Sequence, residues 1–240
     1  MIRLAVRKLA TASTRPVFNI AIVGTGPAGF YTAHQLIKRS KNWDLNVHLY
    51  DRNPTPYGLS RYGVAPDHPE VKNCEEYLDD IMEKYSGSNG PHKVEFFGNV
   101  DVGNDISLTD LKNKYHSVVL LYGCTSGDRK LNIPGIELPG VISARQFVNW
   151  YNGHPDCHCK SDYSPPALDS IENVTIVGNG NVALDVARIL LVNEKHWEKT
   201  DISQEALDLL KRSTVKHVDI VARRGILESA FSNKEIRELL

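Results

Sequence analysis

Apolar residues in this chain gather in short, nearly unbroken runs, separated by longer stretches in which they recur at helical spacing. Phe18 to Val23 is such a run, rich in Ile, Val and Ala, and predicts a strand buried on both faces. Leu45 to Tyr50, Val94 to Phe97 and Ser117 to Leu121 predict three more strands. A helix is expected from Pro27 to about Ile37, with Pro27 in the first turn, where a missing N–H costs little. Val71, Cys74, Leu78, Ile81 and Tyr85 mark one face of a second helix. Between them, the Gly- and Pro-rich stretch from Pro54 to Pro69 excludes a long regular element. Ala144 to Tyr151 reads as a short helix, and 152–171, with Pro155, Pro165 and Pro166, as an exposed loop. A second strand–helix unit begins at Asn173. A helix over Gln204 to Arg212 and a strand over His217 to Ala222 follow. Asn233 to Leu240 has an amphipathic helical pattern that no breaker closes, so the expected protein is an incomplete one. Strands alternating with helices predict an α/β fold with parallel strands.

Composition changes this picture little. With 240 residues, 41% hydrophobic and 24% charged, the chain can build one large domain or two small ones. A formal net charge of -1 argues against nucleic acid as a partner, and no apolar run approaches a membrane span. Met1 to Val17 is different. It carries Arg3, Arg7, Lys8 and Arg15 among Thr and Ser, and the first acid in the chain is Asp44. That is the composition of a mitochondrial transit peptide. Cys157 and Cys159 flank His158, near His154, but a second ligand pair at metal-binding spacing is missing, so a surface loop and no metal are expected.

The chemistry sits at two Gly-rich turns. Gly24-Thr25-Gly26-Pro27-Ala28-Gly29 follows the first strand directly. A strand, a Gly-rich turn and a helix bring a pyrophosphate to the helix N-terminus, where unpaired N–H groups and the helix dipole favour anions. Gly24 permits the tight turn, Gly26 the approach of phosphate, and Gly29 close helix–strand packing. Asp51 closes the next strand, where a carboxylate accepts hydrogen bonds from ribose hydroxyls. Gly178-Asn179-Gly180-Asn181-Val182-Ala183 repeats the pattern after Val174 to Val177, with Ala183 in place of the third glycine. Here the following strand ends in Arg223-Arg224. An acid at that place repels the extra ribose phosphate of NADP, whereas guanidinium groups bind it bidentately. One site ending in an acid and one ending in paired arginines point to two cofactors, a flavin dinucleotide and NADPH.

The stretch from Pro56 to His68, reading Pro-Tyr-Gly-Leu-Ser-Arg-Tyr-Gly-Val-Ala-Pro-Asp-His, resembles the signature of the adrenodoxin reductase family, the mitochondrial-type ferredoxin–NADP reductases. Gly180 to Arg188 is similar to the family as well. So are Arg223-Arg224-Gly225, Phe231 and Lys234 to Arg237. The resemblance runs from about residue 18 onward and corresponds to the N-terminal part of the family chain. After the transit peptide that composition gives over 1–17, it implies two Rossmann-like dinucleotide-binding domains, both incomplete: the N-terminal portion of an FAD domain over 18–118 and a truncated NADP domain over 119–240. By matching position, Ala28, Asp51, Leu59 and Val100 contact FAD. NADPH lies over Asn179, Gly180, Asn181 and Val182, with Arg223, Arg224 and Glu235.

In this family NADPH passes a hydride to the flavin, which gives up electrons singly to a small [2Fe–2S] ferredoxin of the adrenodoxin type. The implied residence is the mitochondrial matrix, with peripheral association at the inner membrane as a further expectation. His68, Asp185 and Glu235 are the residues expected to support the chemistry. By residue type alone, His68 fits either a group near the flavin or a packed loop histidine. Asp185 fits a helix acid favoured by the dipole; its family counterpart lies near the nicotinamide end. Arg237 matches one basic residue of the ferredoxin contact. The chain departs from the family in having Asp51 where Glu is usual, at Cys124 and Ile226, and in lacking the returning segment that completes the FAD domain. Two other readings stay open: a nucleotide-binding remnant without turnover, and another flavin oxidoreductase with two fingerprints. Against the second, the chain has no Cys-x-x-Cys and no iron–sulfur cysteine cluster.

Overall fold

The computed structural model describes residues 15–87, 89–124, 131–158 and 163–239. The transit peptide expected over 1–17 lies almost wholly outside the described residues, as does Cys159. In chain order the elements are β1 (Val17–Val23), α1 (Pro27–Arg39), β2 (Asp44–Tyr50), α2 (Leu59–Tyr62), α3 (Pro69–Lys72), α4 (Cys74–Tyr85), β3 (His92–Phe97), α5 (Leu108–Lys114) and β4 (Ser117–Leu120). They continue with α6 (Ala144–Tyr151), α7 (Pro155–His158), β5 (Asn173–Val177), α8 (Asn181–Leu191), α9 (Glu194–Trp197), α10 (Gln204–Leu210), β6 (His217–Val221) and α11 (Asn233–Arg237).

Contacts divide the chain into two compact units. The first takes in Met1–Pro56 and Glu76–Gly123. Its sheet has the order β3-β2-β1-β4, with each neighbouring pair parallel. The run predicted as a doubly buried strand lies at its centre, beside β2: Ala21, Ile22, Val47 and Leu49 are fully buried. Ile22 stands beside Leu49 on one side and Val119 on the other. α1 presents Gly29, Phe30, Ala33 and Ile37 as its buried stripe, the 3.6-residue period at work. Burying a Phe or Ile side chain stabilises by roughly 1.5–3 kcal/mol each, so this stripe, more than helix propensity, holds α1 in place.

The second unit takes in Tyr57–Glu75 and Cys124–Leu240. The signature loop thus clusters with the later part of the chain. Local bonds show why: Asn152 Nδ2 donates to the Val64 carbonyl at 3.1 Å, and Tyr62 meets the His154 ring edge-on at 4.7 Å between centroids. β5 and β6 pair in parallel, Val174 beside Val218 and Val177 beside Val221. Both strands alternate between exposed and half-buried positions, the period-2 pattern of a sheet covered on one face. Val174, Ile176 and Val218 pack on a core that includes Trp150, Tyr151, Ile189 and Trp197.

Three expectations are corrected. Residues 152–171 are not simply an exposed loop: α7 forms there, and His154, Cys157 and Leu168 are buried. Hydrogen bonds to backbone anchor them; the Cys157 N–H, for example, donates to the His154 carbonyl at 2.8 Å. Such anchoring leaves no periodic trace in sequence. The helical face from Val71 to Tyr85 is broken at Asn73 into α3 and α4, and Val71 is exposed. α11 is five residues long, opened by the Ser232 hydroxyl accepting from the Glu235 N–H and closed at Glu238, so the amphipathic pattern overstates its length.

Candidate functional site

Each glycine of the first fingerprint has its own physical reason. Gly24 has φ +102°, and a Cβ there would lie 2.3 Å from the Leu121 carbonyl oxygen. A Cβ on Gly29 would lie 2.1 Å from the Gly24 carbonyl oxygen, so only hydrogen lets α1 approach the turn. At Gly26 a Cβ would meet nothing within 4 Å; the space over this helix N-terminus is open. α1 has no side-chain cap and no acid in its first turn, which leaves its N–H groups and dipole facing that space. Ala28 is exposed beside it.

Asp51 stands where the fingerprint requires. Its Oδ2 accepts from the Thr25 N–H at 3.0 Å and the Thr25 hydroxyl at 2.6 Å, and its Oδ1 from the Asn53 N–H at 2.9 Å. A carboxylate has about four acceptor sites, so the free one is on Oδ1. The Val100 N–H donates to the Asp51 carbonyl at 2.9 Å, which sets Val100 beside it. Thr25, fully buried, holds the Asp51 carboxylate, and the glycine pattern did not single it out. Leu59 belongs to the second unit, where it opens α2 and is exposed.

The second fingerprint repeats the first in its hydrogen bonds. The Gly24 N–H donates to the Tyr50 carbonyl at 2.8 Å, and the Gly178 N–H to the Val221 carbonyl at 2.8 Å. Gly178 has φ +129°, and neither it nor Gly180 would bring a Cβ within 4 Å of another atom. α8 also starts without a side-chain cap or an acid in its first turn. Val182 is exposed there, and Ala183 is buried. Asn179 and Asn181 tie the later chain to the turn: the Ala230 N–H donates to the Asn179 carbonyl at 3.2 Å, and the Ser232 N–H to Asn181 Oδ1 at 3.0 Å. Arg223 and Arg224 follow β6 after Ala222 and are exposed. Neither guanidinium has a partner among the described residues.

His68, Asp185 and Glu235, separated widely in sequence, meet within the second unit around Arg188. Its guanidinium donates from Nε to Asp67 Oδ2 at 2.7 Å, and from Nη2 to Asp67 Oδ1 at 3.0 Å and Asp185 Oδ1 at 2.9 Å. Nη2 also lies 2.9 Å from His68 Nε2. Nη1 faces Glu238 at 3.4 Å and Glu235 at 3.7 Å. His68 Nε2 is 3.0 Å from Glu238 Oε2. The ligand-capable atoms of His68, Glu235 and Glu238 lie within 4.8 Å of one another, and the Arg188 guanidinium among them already supplies positive charge.

Burial works to raise the Asp67 carboxyl, but the Arg188 bonds and charge outweigh it and hold it below the usual range. At Asp185 burial wins, Arg188 offsets it only in part, and Glu235 adds to the rise. Burial also opposes charge on Arg188, and Asp67 and Asp185 override it. Arg188, Asp67 and Glu238 are the members of this cluster that motif reading left without a role. Arg237, the expected ferredoxin contact, is exposed on α11.

The family model for pyridine nucleotide-disulphide oxidoreductases matches residues 18–240. A probable mitochondrial NADPH:adrenodoxin oxidoreductase of Saccharomyces cerevisiae is 51% identical over 224 residues, which cover 92% of this chain and 45% of that protein. The mitochondrial NADPH:adrenodoxin oxidoreductase of Homo sapiens is 48% identical over 221 residues, covering 92% and 42%. Mycobacterium tuberculosis FprA in complex with NADPH has a similar structure, with a TM-score of 0.83 at 42% identity, over 94% of this chain and 47% of that one. The chain thus spans somewhat under half the length of these relatives. The expected resemblance, to the N-terminal part of adrenodoxin reductases, is borne out, and so is the Rossmann-like α/β fold.

Proposed function

Because the chain belongs to the pyridine nucleotide-disulphide oxidoreductase family, we propose that it serves as an FAD-dependent NADPH:ferredoxin oxidoreductase of the adrenodoxin reductase type. The observation that carries this reading is the contrast between the two fingerprints. One ends at a carboxylate held by Thr25, the other at two exposed arginines without partners among the described residues.

The residues present fit both cofactors. Open space over Gly26 and Gly180, each capping a helix with no acid in its first turn, suits a pyrophosphate. Gly24, Gly26, Ala28, Gly29, Asp51 and Val100 would hold FAD. Asn179, Gly180, Asn181, Val182, Arg223, Arg224 and Glu235 would hold NADPH. Bound FAD supplies the exchange between two-electron hydride chemistry and single-electron transfer. The chain's own part is to bind and orient. Arg223 and Arg224 select the ribose phosphate of NADPH, and His68, Asp185 and Glu235 set the charge and hydrogen bonding around Arg188. The electron acceptor in this reading is a mitochondrial [2Fe–2S] ferredoxin contacted by Arg237. Residues 1–17 direct the chain to the matrix, 18–118 belong to the FAD domain and 119–240 to the NADP domain. Among the described residues no helix is long and apolar enough to cross a membrane.

The test is the visible spectrum of the desalted protein before and after anaerobic NADPH. Stoichiometric flavin absorbance that bleaches with NADPH supports the reading. A colourless, folded protein that binds NADPH but no FAD points to a nucleotide-binding module instead.

A further inference from the structure

We propose that Arg188 is the positioning residue of this site, clamping the loop acid Asp67 to the helix acid Asp185 so that His68 and Glu235 stand together at one side of α8. The proposal rests on the nucleotide reading above and extends it to a residue outside the phosphate turns.

Arg188 is 2% exposed. A guanidinium that dry stays only where carboxylates surround it. Four do so here, from three parts of the unit: Asp67 in the signature loop, Asp185 one turn earlier on α8, and Glu235 and Glu238 at the last helical segment. The bond to Asp67 is a two-pronged fork at 2.7 and 3.0 Å. Planar forks of this kind fix orientation as well as distance, and an ammonium group cannot reproduce them. Nη2 spends its hydrogens on Asp67 and Asp185 while lying 2.9 Å from His68 Nε2. The imidazole is thereby held between a cation and the Glu238 carboxylate at 3.0 Å. On its other edge, Nη1 and Glu235 Oε2 face each other at 3.7 Å, and neither has a hydrogen-bond partner among the described residues. One side chain therefore touches every residue expected to support the chemistry, without itself belonging to a phosphate turn. Other titratable groups face the cluster: His196 Nε2 lies 3.6 Å from Asp67 Oδ2, Lys234 Nζ lies 3.9 Å from Glu238 Oε1, and the fully buried Tyr151 hydroxyl is pushed up by burial and by the Asp185 and Asp67 charges.

A clamp of this kind acts on the part of the dinucleotide that reaches His68, Asp185 and Glu235, and leaves the arginine-bound ribose phosphate alone. Two ligands separate these effects in the full 240-residue chain: NADP+, and adenosine 2′,5′-bisphosphate, which keeps the ribose phosphate and lacks the nicotinamide. Arg188→Lys retains the charge and loses the fork. The expected result is NADP+ affinity weakened by about tenfold and bisphosphate affinity held within about twofold. Asp67→Asn, which keeps Arg188 and removes its strongest partner, should shift the two affinities in the same pattern, and carries the test if Arg188→Lys does not fold. Folding is checked by far-ultraviolet circular dichroism. Equal weakening of both ligands, or no weakening of either, in a folded variant overturns the clamp and leaves the nucleotide reading standing. Failure of the unchanged chain to bind either ligand overturns that reading and the clamp with it.

Discussion

Gly29 and Ala183 occupy the same step of the two fingerprints, yet they answer to different neighbours. At Gly29 any Cβ would press on the Gly24 carbonyl oxygen at 2.1 Å, while Ala183 is buried without such a conflict. Gly29→Ala should therefore destabilise the first unit by about 1–3 kcal/mol through overpacking; a urea denaturation midpoint measures it, and an unchanged midpoint would mean the turn relaxes freely. Ala183→Gly should cost about 1 kcal/mol, for a different reason, the loss of helix propensity. At the other end of the second fingerprint the argument is electrostatic. Replacing both Arg223 and Arg224 by Ala should weaken NADPH by at least about tenfold and NADH by much less, since only the former carries the ribose phosphate. Titration of both nucleotides by fluorescence reads the difference, and parallel losses would show that the pair does not discriminate. The glycines and the arginines were legible in the sequence because what each does is decided within a few residues of itself.

At the scale of elements, α1 and α8 begin alike, with a glycine cap and no acid in the first turn. Ordinary helices gain from acids there, so their absence at both turns leaves the dipole to an external anion. Val182 is exposed on the first turn of α8, which makes the trade testable. Val182→Glu should stabilise the fold by about 0.3–1 kcal/mol through the dipole while weakening NADPH binding. Stability and affinity moving in the same direction would contradict the role of this N-terminus. The strands were also readable, but for different reasons. β1 is a near-continuous apolar run that ends in four buried residues, whereas β2 sets Leu45, Val47 and Leu49 between Asn46 and His48; β5 and β6 alternate because one face is covered. The short helix α7 was not readable, since no repeating face marks it and its buried Cys157, with His154 just before it, is held by backbone bonds.

At the scale of the molecule, the second unit is discontinuous, and an ion cluster joins its two segments. Asp67 has a folded-state pKa below its unfolded value, so its bond to Arg188 contributes stability that is present above the unfolded carboxyl pKa of about 3.9. That contribution is lost as pH falls through the folded value. Asp185 carries the opposite sign: its raised carboxyl takes a proton more readily in the fold, and its contribution falls as pH rises through the folded value. Asp67→Asn should therefore flatten the loss of stability below about pH 4, read from urea midpoints across pH. A slope equal to that of the unchanged chain would place the acid-sensitive stability elsewhere.

The sequence by itself determined the strand–turn–helix units, the glycine turns, and the difference between an acid and two arginines at the ends of β2 and β6. Each depends on local period or on a requirement met within one turn of chain. Only the tertiary structure decided that β4 pairs beside β1, that Tyr57–Glu75 joins the second unit, and that Asp67, His68, Asp185 and Glu235 converge on Arg188. Asp67 and Arg188 are 121 residues apart. A buried charge finds its partner wherever loop closure brings one, and that choice leaves no pattern along the chain.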